Sequence, residues 1–587
     1  MILVRLLKTL AVSLLCTVLA LSAQADERLD LLKNISAAGA PLLTLKMLDQ
    51  AQPAIDQDLY EWILWEQERL SILARWREWD QLLVRIEALP ADIPAQFRNQ
   101  VASYKARAYL ELGQTRSARR VLRTQIWQNL ERDSADYETW RRLIIESYIQ
   151  DGSTEDARVA MLRFDQDFDS TELGWLLLRS RVLIESKRYD QAIRLLQGRD
   201  EWQARLTSML AVHRSNGIAP AELWRQVVKR NEVETLSQEE RASLWALGYF
   251  AAQDMSSVDR VVALESLFRS GAGSPLKLFQ LPVDLLWQAY VEYAELVGNR
   301  AELLLGADEQ WLQLAAAASK ATPTKSRALY AMLMLRSSSA DTRNRAANGY
   351  MQTFAEIDEN EHQLLENLFN HSETFANARD IPAGIRYQLV DLALSAADIE
   401  EATRLMSGLD SVPPGTSRFD WQLRRSRVLI LGGRYDEGNQ VLQSLIGEYT
   451  EAQPQVTDRI LQVLFDLQTV EMHQQAIAHF DRLLRLQLDP KRRREILFWI
   501  GDSYRGLQQF EQAALLYLQS AMLPGAQAMD PWAQTARYNA AESLQAAGLV
   551  DDARRIYQAL LRVTEDAARR SVLSHKIQQL WLSQASQ

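Results

Sequence analysis

One cysteine stands in 587 residues, Cys16, and it falls inside an apolar stretch near the amino-terminal end. Past that stretch a disulfide, a thiolate nucleophile and a cysteine-ligated metal are all excluded. Histidine is sparse as well, limited to His213, His362, His371, His473, His479 and His575. His362 and Glu366 would share a helical face with His371 beyond them, but their spacing matches no zinc motif. His473 and His479, six apart, do not face each other on a helix. Glycine-rich phosphate loops, dinucleotide fingerprints and serine-centred nucleophile elbows are missing, so no cofactor is expected. The basic residues are mostly arginine, with eleven lysines, and the net charge is −10. That balance argues against a general binder of nucleic acid or of anionic membranes. No apolar run after Leu21 is long enough to span a bilayer, and no sustained two-residue alternation marks a strand.

What is present begins with a processing signal. Arg5 and Lys8 precede the apolar-to-small run Thr9 to Leu21, and Ala23-Gln24-Ala25 fits the small-x-small cleavage rule. Residues 1–25 are therefore expected to be a signal peptide cleaved after Ala25, with export to a bacterial periplasm. The alternative is an uncleaved inner-membrane anchor, for which the run is short.

The remainder reads as helix throughout, with its fifteen prolines at or between helix ends. From Asp26 to Pro94 the punctuation at Gly39-Ala-Pro41, Pro53 and Pro90 predicts three irregular hairpins, crowded with Trp62, Trp65, Trp76 and Trp79 as packing residues. Next, Tyr109, Gly113, Ala118 and Leu122 stand at the spacing of Tyr148, Gly152, Ala157 and Met161, then of Leu183, Lys187, Ala192 and Leu196. The small residue lets the second helix of a hairpin press on the first, and the larger one four positions on reaches the next hairpin. Ala402, Gly438, Ala476, Ala513 and Ala553 hold the same place later, at intervals of 36, 38, 37 and 40 residues. Arg179 to Asp190 and Arg425 to Asp436 agree at nine of twelve positions, an internal echo between the two blocks.

The clearest copy contains Gly501, Tyr504, Phe510, Ala513, Tyr517 and Pro524 in that order. This pattern resembles the tetratricopeptide (TPR) signature, over about 100–200 and 381–565. The resemblance implies an all-α fold, an α-solenoid of stacked helical hairpins winding into a TPR-like superhelix. The expected organisation after the leader is 26–200 with TPR-like hairpins, 201–380 with degenerate repeats amounting to roughly five hairpins, and 381–587 with TPR-like repeats and a capping helix from about Asp566 to Trp581.

The chemistry on offer is a surface. Glu146-Ser147, Glu185-Ser186, Glu265-Ser266 and Glu542-Ser543 echo the acidic pair of soluble lytic transglycosylases, but the lysozyme-like stretch those enzymes need is missing. Lys491-Arg-Arg-Arg494 should fill the first turn of a helix, where the dipole disfavours cations, which suggests either an anion site or a solvated turn. In TPR proteins the first helix of each hairpin lines a groove that grips a peptide or protein. The resemblance places Arg107, Arg142, Glu146, Arg181, Arg427, Asp502, Arg505, Tyr538 and Glu542 there. The expected function is a non-catalytic periplasmic scaffold or adaptor for other envelope proteins or peptides. The alternative is a cell-wall protein that associates with peptidoglycan through its tryptophan and tyrosine clusters.

Overall fold

The computed structural model describes residues 28–129, 135–233, 235–354, 358–451, 453–523 and 529–585. The expected signal peptide and Pro524 lie outside them. Every regular element among the described residues is a helix, as the missing strand pattern requires. None of these helices is long and apolar enough to cross a membrane. The chain divides into two compact units, the first holding 1–254 with 274–280, the second 255–273 with 281–587. The division falls inside the stretch where repeat spacing fades.

The first unit opens with α1 (28–37), α2 (Pro41–Ala51), α3 (Leu59–Arg75) and α4 (Trp79–Glu87). These make two hairpins before Pro94 where the punctuation predicted three, because Leu59 to Arg75 is one unbroken helix carrying both Trp62 and Trp65. Trp62 packs edge-on against Phe97 of the next hairpin at 6.2 Å, as a packing tryptophan should. Trp76 is instead half-exposed. Then come α5 (Ala95–Glu111) with α6 (Thr115–Gln128), α7 (Ala135–Gln150) with α8 (Thr154–Asp167), and α9 (Leu173–Glu185) with α10 (Tyr189–Leu196). After them stand α11 (Trp202–Arg214), α12 (Pro220–Val233) and α13 (Gln238–Ala252).

One turn recurs through both units. The first helix ends on a residue in the left-handed region, whose N–H bonds the carbonyl three residues back, while the next N–H reaches back five. At Gly113 these bonds are 3.0 Å to Leu110 and, from Gln114, 2.7 Å to Tyr109. The same left-handed position is held by Arg77, Gly113, Gly152, Lys187 and Asn216 in the first unit, and by Ala397, Gly433, Glu471, Gln508 and Gly548 in the second. Five residues beyond it lie Ala118, Ala157, Ala192, Ala402, Gly438, Ala476, Ala513 and Ala553, all buried. The spacing read in the sequence is thus the spacing of a backbone turn and of the close contact that follows it.

In the second unit, α21 (Ala383–Ser395) with α22 (Ile399–Met406), α23 (Arg418–Leu431) with α24 (Tyr435–Glu448), α25 (Pro454–Thr469) with α26 (His473–Leu484), α27 (Pro490–Gly506) with α28 (Phe510–Met522), and α29 (Pro531–Ala546) with α30 (Val550–Val563) repeat this hairpin. In the clearest repeat, a methyl group added to Gly501 would sit 3.1 Å from the Tyr517 ring, a tight approach that favours the small residue there. The final helix, α31 (Ala567–Ala585), buries Leu573 and Leu580 but leaves Trp581 and Leu582 exposed, a less polar outer face than a cap would present.

Before these regular repeats the second unit contains α14 (Ser257–Phe268), α15 (Asp284–Val297), α16 (Arg300–Leu304), α17 (Asp308–Ala318), α18 (Pro323–Arg336), α19 (Ala340–Met351) and α20 (Glu359–Asn370). Between Asp200 and Asp380 the helix number suits five hairpins, but the packing does not. Helix α18 is buried on every side from Ser326 to Met334 and lies against α14, α15, α17 and α19. A helix without a solvent face has no amphipathic period to read, and this is why the spacing faded. In the first unit α13 is likewise buried without a break from Ala242 to Ala252.

Buried charge inside this packing is fully engaged. Glu265 accepts two hydrogen bonds from Arg327, at 2.7 and 2.6 Å, and one from the Tyr290 hydroxyl at 2.8 Å, with Arg269 at 3.2 Å. Burial alone would raise its pKa, but the charge and hydrogen bonds of Arg327, aided by Arg269 and Tyr290, hold it below the usual carboxylate range. Glu66 in the first unit is built alike, with Arg85 donating twice at 2.6 Å and Arg69 at 3.3 Å.

Candidate functional site

Each of the nine expected groove residues lies on the corresponding face of the first helix of its own hairpin. Arg107, Glu146, Arg181, Arg427, Asp502 and Glu542 each precede the left-handed turn residue of their own hairpin by six positions. Arg142 and Tyr538 lie one helical turn earlier and Arg505 one turn later, so a helix of 3.6 residues per turn presents them together. Their surroundings differ between the units.

In the first unit the side chains of Arg107 on α5, Glu146 on α7 and Arg181 on α9 make no hydrogen bond or ion pair with any described residue. Arg107 is exposed, while Glu146 and Arg181 are half-buried. Burial raises the pKa of the Glu146 carboxyl, opposed by the nearby charges of Arg181, Arg107 and Lys277. Burial also draws the Arg181 guanidinium down, against Glu185 and Glu146, and its Nε is buried without a partner. The Arg107 and Arg181 guanidinium groups thus act on the Glu146 carboxyl without closing into pairs with it. Arg142 does not join them. Its guanidinium is held by Glu138 and, at 2.7 Å, by Glu172, and lies over the rings of Phe164 and Trp175.

In the second unit the same positions are paired. Arg427 bonds Asp466 of α25 at 2.8 Å. Asp502 accepts from Arg505 at 2.7 Å and from the Tyr517 hydroxyl at 2.8 Å. Glu542 accepts from Tyr538 at 3.1 Å and from Lys576 of α31 at 3.0 Å. Asp391 pairs with Arg424, and Asp420 with Arg459 at 2.5 Å. The basic run at the start of α27 is largely engaged too. Arg492 forks onto Asp458 at 2.7 and 2.6 Å, and Arg494 onto Asp530 at 2.8 and 2.6 Å. Asp489 caps the helix by accepting from the Arg492 amide at 3.1 Å, which puts a carboxylate at the dipole's positive end.

The Glu-Ser pairs do not converge on a reaction centre. Glu265 is locked in its ion pair, Glu542 in its two hydrogen bonds, and Glu185 is exposed. His362 lies on α20 and His371 just past its end, and no group of three possible metal ligands converges among the described residues. A cleft of about 940 Å³ in the second unit escaped the sequence reading; Phe354, Tyr387, Trp421, Arg424 and Arg459 help to line it. The ring of Tyr387 meets that of Trp421 edge-on at 5.2 Å, and its hydroxyl donates to Ser411 at 2.7 Å. Pro413-Pro414 on its rim was the available signal, a stretch no helix accommodates.

An all-α array of helical hairpins with the TPR-like turn and close contact is the class these features define. No family model and no curated protein matches the sequence. Solved structures similar to it include the APC/C hetero-tetramer Cut9-Hcn1, 11% identical, covering 95% of this chain and 97% of that one with a TM-score of 0.28. Yeast Tom70 is also 11% identical, over 84% of this chain and 97% of its own, at 0.23. Naa15/Naa10 bound to HypK-THB is 11% identical, over 95% and 96%, at 0.18. Scores this low leave the assignment to the hairpins themselves.

Proposed function

We propose that the protein is a non-catalytic scaffold that holds other proteins or peptides on the first-helix face of its hairpins, in the periplasm of a Gram-negative envelope. The observation that carries this reading is the set Arg107, Glu146 and Arg181, whose side chains form no ion pair or hydrogen bond with any described residue and of which Glu146 and Arg181 are half-buried. Groups desolvated in advance but left unpaired gain more from a partner's charges than solvated ones do. The leader Arg5 to Ala25 supports export, to machinery for outer-membrane assembly, secretion, pili or surface polysaccharide. The test places a photoreactive residue at Arg181, Arg427 or Tyr538 in cells and identifies adducts by mass spectrometry. A discrete protein adduct, strongest from position 181, is the expected result. Adducts to glycan alone would overturn it in favour of a peptidoglycan-associated protein.

A further inference from the structure

The segment Ser274-Pro-Leu-Lys-Leu-Phe-Gln280, which follows Gly271-Ala-Gly273, belongs to the first unit although its flanks belong to the second. It lies on the face just described. Lys277 Nζ stands 3.4 Å from Glu111 Oε1 of α5, across 166 residues of chain, and its charge also acts on Glu146 of α7. Leu278 packs on the apolar cluster that contains Ile145, Ile149 and Val182, from α7 and α9. Phe279 is buried against Phe250 at 6.2 Å, and Ser274 bonds Ser243 at 2.7 Å. The segment therefore engages α5, α7 and α9 with a cation flanked by leucines, anchored at both ends on α13.

Resting on the proposed function, we infer that this segment is the face's own occupant and that the natural partner is an extended peptide of the same chemistry. That peptide carries a basic residue between apolar ones, plus an acidic residue for Arg107 and Arg181. The resident segment pairs with Glu111 and covers part of the apolar floor, but forms no pair with Glu146, Arg107 or Arg181. Its lysine remains half-exposed, about 47% of the side chain, so the ion pair is open to competition. A partner bringing a carboxylate as well makes contacts the resident lacks and displaces it.

The test uses the full chain and a fluorescent peptide, Gly-Ser-Pro-Leu-Lys-Leu-Phe-Gln-Leu, matching residues 273–281. Wild type is compared with a Lys277→Glu, Leu278→Ser variant whose own segment no longer fits. The variant is expected to bind the peptide at least tenfold more tightly than wild type, and adding Glu111→Gln and Glu146→Gln should abolish that gain. A helical variant that binds no better than wild type overturns the inference. If the double variant loses its helical circular dichroism, Lys277→Ser, which removes the half-exposed cation and leaves Leu278 in place, replaces it. A gain of severalfold is then expected, and equal binding overturns the inference. Crosslinks from position 181 to another protein would stand in either case, so the two readings fail separately.

Discussion

Arg181 and Arg427 occupy the same place in the two stretches that echo each other, yet one has no partner and the other is bonded to Asp466 at 2.8 Å. The difference lies one helix further along. Where α25 presents Phe465-Asp466 to Arg427, α11 presents Leu210-Ala211 at the same distance from its turn. A single carboxylate decides whether an arginine completes the fold or waits for a ligand. The face of the second unit is closed upon itself by Asp391–Arg424, Asp420–Arg459 and Glu542–Lys576, whereas the three central charges of the first unit stay open.

Arginine replacements should rank by how completely each is paired. Arg327→Met leaves Glu265 buried and uncompensated and should cost about 3–5 kcal/mol in denaturant unfolding, most of it recovered by adding Glu265→Leu. Next, Gly438→Ala should cost roughly 1–3 kcal/mol, since the new methyl would lie 2.8 Å from Ile430 Cγ1 and 3.0 Å from Ser426 O, although the first unit tolerates Ala192 at that place. The turn offers a matched exchange. Lys187→Gly should stabilise the protein by about 1 kcal/mol and Gly433→Lys destabilise it by about as much, because Lys187 holds a φ of 58° that a side chain disfavours. Arg427→Met should cost about 1 kcal/mol, because the arginine is half-exposed but its loss leaves Asp466, 15% exposed, without a counter-ion. Arg181→Met should be neutral or stabilising, because it removes a desolvated charge with no counter-ion. A matching loss from both would erase the contrast between the two faces.

The smallest effect is one of pH. Burial raises the folded pKa of Glu146 above its unfolded value, so the folded state holds the proton more tightly. Folding gains from that proton at acidic pH, and the gain fades as pH rises through the folded value, beyond which the ionised carboxylate costs stability. Glu146→Gln should therefore raise the unfolding midpoint at neutral pH, and the difference should shrink on acidification. Glu265 has the opposite sign. Its depressed pKa contributes stability above the unfolded value that is lost as pH falls through the folded one.

The hairpins were legible where one face of each helix stays wet. Ala402, Gly438, Ala476, Ala513 and Ala553 could be aligned because a small residue is needed at each close contact, and the groove residues followed from that alignment. Helices α13 and α18 were not legible as packing because neither has a wet face. The buried Glu265–Arg327 pair joins residues 62 positions apart on helices outside the repeat spacing. Which groove arginines are free could not be read either, because that depends on the residue the neighbouring helix presents. Ala211 gives no sign in sequence of being a missing partner.

The left-handed turn has a consequence for how such a chain lengthens. Its hydrogen bonds are all backbone to backbone, and the position accepts Arg, Lys, Asn, Ala, Glu and Gln as well as Gly. The chain direction is therefore reset at each turn whatever the side chain there. A segment running from one left-handed residue to the next, such as 433 to 470, is an interchangeable part. Its duplication or loss would shift everything downstream by one whole hairpin without changing how any hairpin is made.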